Sequence, residues 1–145
     1  MLFLFIDFSG EVKRSSSYFF RIAAFDLDSG NFVVKKRVKV INNFSERFFY
    51  SFDRVLSSSG IKLSDFKAVF AVRGPGRFSA LRTAVSFANA FSYALDIPLV
   101  GLDRIDEKGR KYWHKVLDII KCSKLPKKRV YLHPFYNIRP NIDME

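Results

Sequence analysis

Cysteine, histidine and tryptophan are nearly missing from this chain. Cys122 is the single cysteine, so no intramolecular disulfide is possible and the fold must rest on burial, a pattern that fits a reducing cytosol. His114 and His133 are the only histidines, and neither sits in an H-E-x-x-H or H-x-x-x-H spacing, so no helical zinc site is expected. Carboxylates are scarce, at 14 against 25 Lys and Arg. A two-metal nuclease needs several of them converging; of the candidates Asp7, Asp26, Asp65 and Asp103, Asp26 and Asp65 are expected at loop ends away from Asp7, which argues against that chemistry. Ser15–Ser17 and Ser57–Ser59 have no neighbouring His or Asp pattern and read as turns, so no nucleophile is assigned. Long apolar runs are also missing. Met1–Ile6 is apolar but is cut off by Asp7 and lacks a basic leader, and no stretch approaches the ~18 apolar residues of a membrane span. The expectation is a cytoplasmic protein without a membrane anchor.

Aromatic and basic residues are abundant. The chain has 145 residues, 48% hydrophobic, enough for one core and too few to argue for two; with 17 Phe against one Trp, that core should be built on Phe packing. The net charge of +11 favours a polyanion or an acidic partner. Residues 104–145 carry 11 basic and 5 acidic groups, a denser excess than residues 1–103 with 14 and 9, so the last third is the expected polyanion-facing part.

The stretch from Leu63 to Asp103 organises the rest. A strand-type run, Phe66–Val72, stops at Arg73-Gly74-Pro75-Gly76, and a helical pattern begins at once with Phe78, Leu81, Ala84, Val85, Ala88, Phe91 and Leu95. Pro98-Leu99-Val100-Gly101 then reads as a short buried strand, which makes a βαβ unit and implies a parallel sheet. Upstream, Leu2–Phe8 is apolar throughout and belongs in the middle of the sheet. Tyr18–Phe25 and Phe32–Ile41 form a hairpin about Asp28-Ser29-Gly30-Asn31, the second strand alternating Val34, Lys36, Val38 and Val40 with Lys35, Arg37 and Lys39. Such a basic stripe discourages edge pairing, which explains it without a nucleic-acid role; contact with nucleic acid is the alternative. Asn43 and Glu46 are placed to cap a helix over 44–59 that ends at Gly60. A further helix is expected over 103–121, with Gly109 in its first turn, then a basic linker through Lys124, Lys127, Lys128 and Arg129, and a short strand over Val130–Leu132.

Gly74-Pro75-Gly76 before a helix, with Arg73, Arg77 and Arg82 around it, could hold an anion on free backbone N–H groups. Two glycines are equally what a tight strand-to-helix corner needs, and the segment is neither G-x-x-x-x-G-K-[ST] nor G-x-G-x-x-G. The 78–95 helix is apolar or small over more than half its circumference and therefore needs two neighbours. One is the sheet; the other is either the 44–59 helix or a partner chain.

The segment G-P-G-R-F-S-A-L-R, with the strand before it and I-P-L-V-G after it, resembles the signature of the TsaB (YeaZ) family over residues 61–103. The opening F-L-F-I-D-F-S and the tail L-H-P-F-Y-N-I-R-P-N-I-D are similar to the family's first strand and closing segment. Where the family shows G-P-G-S-F-T-G-L-R, this chain has Arg77, Ser79 and Ala80, and Phe8 replaces the opening Thr. The resemblance implies an RNase H-like half-domain of the actin, sugar-kinase and Hsp70 superfamily over 1–103. A helix and basic linker over 104–129 stand where the family carries a second half-domain, and 130–145 is the closing tail. It also implies a non-catalytic, cytoplasmic partner of a TsaD-type enzyme in making threonylcarbamoyladenosine on tRNA, with TsaE as ATPase. This chain would bind no cofactor or metal itself, ATP and Mg being used by other subunits. Phe48, Phe52, Ala80, Ala84, Phe87, Ala88 and Phe91 are then the candidate helix interface to TsaD or to a second copy. Arg73, Gly74, Pro75, Gly76, Phe78, Leu81 and Arg82 carry the motif, and Asp7 and Ser9 are a remnant phosphate loop. Contact with tRNA is expected indirectly or through the basic last third. The competing readings are a nucleotide-binding enzyme of the actin-like superfamily and a stand-alone basic tRNA-binding module.

Overall fold

The computed structural model describes residues 1–11, 18–41, 43–76, 78–127 and 130–133. Ser15–Ser17, Arg77, Lys128, Arg129 and the tail from 134 onward lie outside the described residues. Five strands form one mixed sheet: β1 Leu2–Glu11, β2 Tyr18–Asp26, β3 Asn31–Val40, β4 Phe66–Gly74 and β5 Leu99–Asp103. Their order is β3-β2-β1-β4-β5, antiparallel across the β1–β2–β3 meander and parallel for β1–β4 and β4–β5. The uninterrupted apolar run of β1 lies mid-sheet as expected, because a strand apolar on both faces needs cover on both.

Helices α1 (Phe44–Ser59) and α2 (Phe78–Leu95) supply that cover on one face and α3 (Gly109–Cys122) on the other. Alternate residues of β1 serve the two cores. Leu4, Ile6 and Phe8 pack with Phe48, Phe52, Leu81 and Ala84, while Phe3 and Phe5 pack with Tyr112, Val116 and Ile120. Phe48 is the hub of the first core, its ring 4.6 Å from Phe8, 5.7 Å from Phe20 and 4.8 Å from Phe87, centroid to centroid. Edge-to-face contacts at these separations add to burial.

Three local expectations need correction. Asn43 precedes α1 but lies in the left-handed region at φ 55°, and its side chain makes no capping bond, so the Asn43–Glu46 box does not form. The helix is closed at its other end instead, where Gly60 at φ 67° lets its own N–H and that of Ile61 reach the carbonyls of Ser57 and Leu56. The third helix begins only at Gly109, which takes φ 58°, and residues 104–108 are irregular although Ile105 still packs on the sheet. Residues 130–133 form no strand, yet Leu132 is buried and its N–H and C=O both pair with the Asn89 amide on α2, at 2.8 and 2.9 Å.

Phe48→Ala is expected to lower unfolding stability by about 3–5 kcal/mol, read from urea denaturation, because it opens a cavity where sheet, α1 and α2 meet.

Candidate functional site

Asp7 stands on the α3 side of β1, immediately before a bulge that sets Phe8 and Ser9 against Phe20. The bulge turns the Ser9 N–H and hydroxyl back onto the Asp7 carboxylate, at 2.8 and 2.5 Å. Arg21, paired with Asp7 across the strands, brings its guanidinium to 3.5 Å from the same carboxylate. Tyr112 of α3 closes the group: its hydroxyl donates to Asp7, and the Arg21 guanidinium lies 3.6 Å above its ring. Asp7 is 1% exposed, Ser9 3%, Arg21 8% and Tyr112 0%. This arrangement neutralises a buried charge and shields the carboxylate from solvent. Burial pushes the Tyr112 phenol well above its ordinary range, and the Asp7 charge adds to the shift.

Sequence reasoning found Asp7 and Ser9 and missed Arg21 and Tyr112. The signal for Arg21 was present, since one arginine inside Phe19-Phe20-Arg21-Ile22-Ala23 must find a buried partner.

The Arg73–Arg82 corner is a packed joint. Gly74 takes φ 125°, and a Cβ on Gly76 would stand 3.2 Å from the Ser9 Cα, so both glycines answer to geometry. Leu81 is fully buried below it, Phe78 opens α2, and Pro75 is half-buried. The Arg73 guanidinium is held by Asp103 at 3.0 Å, and Arg82 is exposed one turn into the helix. Arg77, the third arginine of the corner, lies outside the described residues.

Of the seven helix residues proposed to meet a partner, Phe48, Phe52, Ala80, Ala84, Ala88 and Phe91 are at most 8% exposed and pack inside the chain. The two helices cover each other through these side chains, with Phe52 and Phe87 rings 5.2 Å apart. Phe87 alone of the seven reaches the surface, where it meets Phe49, 53% exposed, at 6.0 Å. These rings line an apolar groove of about 620 Å³ with Ser79, Arg82, Thr83, Ser86 and Ala90. Ser79, Thr83, Ser86 and Ala90 follow helical spacing, a lane of small residues open to a further helix. Phe49 is the apolar residue just outside the buried arc of α1, the position a helical wheel marks as the margin.

The Tyr112 bond yields a pH prediction. The unfolded phenol ionises near pH 10 while the folded one keeps its proton, so the stability held at lower pH falls as pH rises past about 10. Tyr112→Phe is expected to cost about 1–3 kcal/mol at neutral pH, where Asp7 loses a buried donor, and to flatten that alkaline decline. Urea midpoints of both proteins between about pH 8 and 11 test this.

The family model described as TsaD, tRNA N6-adenosine threonylcarbamoyltransferase, matches residues 38–107, which is the α1-β4-α2-β5 part of the fold. The tRNA threonylcarbamoyladenosine biosynthesis protein TsaB of Buchnera aphidicola is 32% identical over 62 residues, covering 43% of this chain and 30% of that protein. TsaB of Escherichia coli is 28% identical over 61 residues, covering 42% and 26%. The chain thus spans under a third of the length of these two relatives. The solved structure of YeaZ from Pseudomonas aeruginosa superposes with a TM-score of 0.59 at 22% identity, covering 70% of this chain and 43% of that one, a likeness of fold. On the mixed sheet, the glycine corner and these similarities together, the chain is TsaB/YeaZ-like, with an α/β fold like that of YeaZ.

Proposed function

We propose that this chain is a non-catalytic partner subunit of a TsaD-type threonylcarbamoyl transferase, acting in the formation of threonylcarbamoyladenosine on tRNA. The groove between α1 and α2 carries the proposal. It leaves two phenylalanine rings in water beside a lane of small side chains, and a helix pair from the enzyme laid there would bury both. Binding moves outward from the residues first expected, to Phe49, Phe87, Ser79, Thr83, Ser86 and Ala90.

The closure of Asp7 favours a partner over an enzyme. A superfamily ATPase uses the carboxylate at this strand end to approach metal and phosphate, whereas here Tyr112 and Arg21 face one of its oxygens and Ser9 donates to the other. ATP and Mg, and a TsaE-type ATPase, therefore belong to the other subunits of the complex. Exposed Lys124 and Lys127, beyond α3, add positive charge for tRNA.

Co-purification with the TsaD of the same organism tests the reading. A complex should form, and Ser86→Arg should abolish it while leaving the melting temperature unchanged, since Ser86 is exposed. Phe49→Ala should weaken it by about tenfold, the loss typical of one interfacial aromatic. A folded chain that ignores TsaD overturns the proposal. Self-association sensitive to Ser86→Arg would assign the groove to a second copy, and ATP hydrolysis by the chain alone would assign it to the enzymes.

A further inference from the structure

A second cleft lies on the opposite side of the sheet, between β3 and α3. It has a volume of about 650 Å³ and is lined by Asn31, Phe32, Val33, Val34, Lys35, Arg110, Trp113, His114 and Leu117, none of them acidic. Its charge comes from two elements remote in sequence. On β3, Lys35 pairs with Ala23, Arg37 with Arg21 and Lys39 with Phe19. Opposed residues of an antiparallel pair share a face. Ala23 packs in the α3 core and Arg21 lies over Tyr112, so the whole row Lys35, Arg37, Lys39 stands on the α3 side. All three are exposed. On α3, Arg110 and His114 form the facing wall.

The helix runs antiparallel to β3, with Tyr112 near the end of β1 and Lys121 beside Gly30 at the β2–β3 turn. The basic row accordingly continues from the cleft past the start of α3. Aromatic rings accompany it: the Lys35 ammonium is 5.6 Å from the Trp113 ring, and the Arg37 guanidinium is 4.0 Å above Phe19.

We propose that this cleft and its basic row bind the sugar–phosphate backbone of RNA. Cations at every second strand residue repeat at about 7 Å, an even spacing suited to the regular charges of a phosphodiester chain. The aromatic rings beneath them hold the cations in place, Phe19 under Arg37 and Trp113 beside Lys35. Protection of the β3 edge accounts for the strand cations but not for Arg110 and His114, which face them from α3. The proposal is independent of TsaD docking, which uses the other side of the sheet.

Anisotropy of labelled bulk tRNA and of a single-stranded RNA, titrated with the isolated chain between about 50 and 200 mM salt, tests it. The triple variant Lys35→Gln/Arg37→Gln/Lys39→Gln is expected to weaken binding by about tenfold or more and to lower the salt slope by about 2–3, one increment of ~0.7–0.9 per lost phosphate contact. The charge-matched control Lys36→Gln/Lys62→Gln/Lys67→Gln should change both far less, and Ser86→Arg should change neither. Equal losses in the triple and the control would overturn the site in favour of bulk charge. Failure of the wild-type chain to bind RNA at low salt would overturn it as well. So would polyglutamate binding as tightly as RNA, which would assign the cleft to an acidic protein.

Discussion

A central strand apolar on both faces sets the terms for everything else in this molecule. β1 offers Leu4, Ile6 and Phe8 to one side and Phe3 and Phe5 to the other, and each side must be closed before the sheet is stable. On the first side α1 and α2 meet over the strand through a continuous set of phenylalanine rings. On the second, a single amphipathic helix suffices because Tyr112, Val116 and Ile120 all reach the sheet. The segment after Asp103, which in sequence looks like a replacement for something larger, is therefore structurally part of the same unit as the strands it covers.

The closing of the second side also decides the fate of Asp7. A carboxylate at the end of a buried strand must be solvated, paired or neutralised, and a helix laid over it removes the first choice. Arg21 supplies the charge and Tyr112 and Ser9 the hydrogen bonds, so the group is satisfied entirely from within the chain. Breaking one member would strand the others, since the desolvation already suffered by Asp7 and Arg21 does not depend on Tyr112 being present. Asp7 is thus a clasp between strand and helix.

Much of this was legible in the sequence, because the relevant signals are local. The apolar run of β1, the alternation in β3 and the strand–corner–helix run from Phe66 to Leu95 all appear in the structure within a few residues of their expected places. What was not legible depended on conformation or on distance along the chain. Asn43 adopts a left-handed backbone that leaves no capping geometry, and Gly109 starts a helix where the apolar spacing continued through it. The tether between Asn89 and Leu132 spans 43 residues, and the Asn89 amide satisfies the N–H and C=O of Leu132 as a neighbouring strand would, so a strand-like sequence is held without a strand. Six of the seven candidate interface residues are buried for a third reason. Periodicity identifies which face of a helix is apolar, but two apolar helices in one chain consume each other first, and only side chains at the margin, such as Phe49 and Phe87, remain for a partner.

The two faces of the sheet end up chemically opposite. The groove on the α1–α2 side is lined by phenylalanine and small neutral residues with one arginine at the rim, while the cleft on the α3 side is lined by lysine, arginine and histidine with no carboxylate among the lining residues. Apolar grooves select surfaces that bury well and are nearly indifferent to salt; basic clefts select polyanions and weaken steeply as salt rises. Because the sheet separates them, occupancy of one leaves the other open, and a chain of this size can touch a protein and a nucleic acid at once without either crossing the other's footprint. That separation follows from β1, whose two apolar faces required one cover of phenylalanine-rich helices and another whose outer edge was free to carry charge.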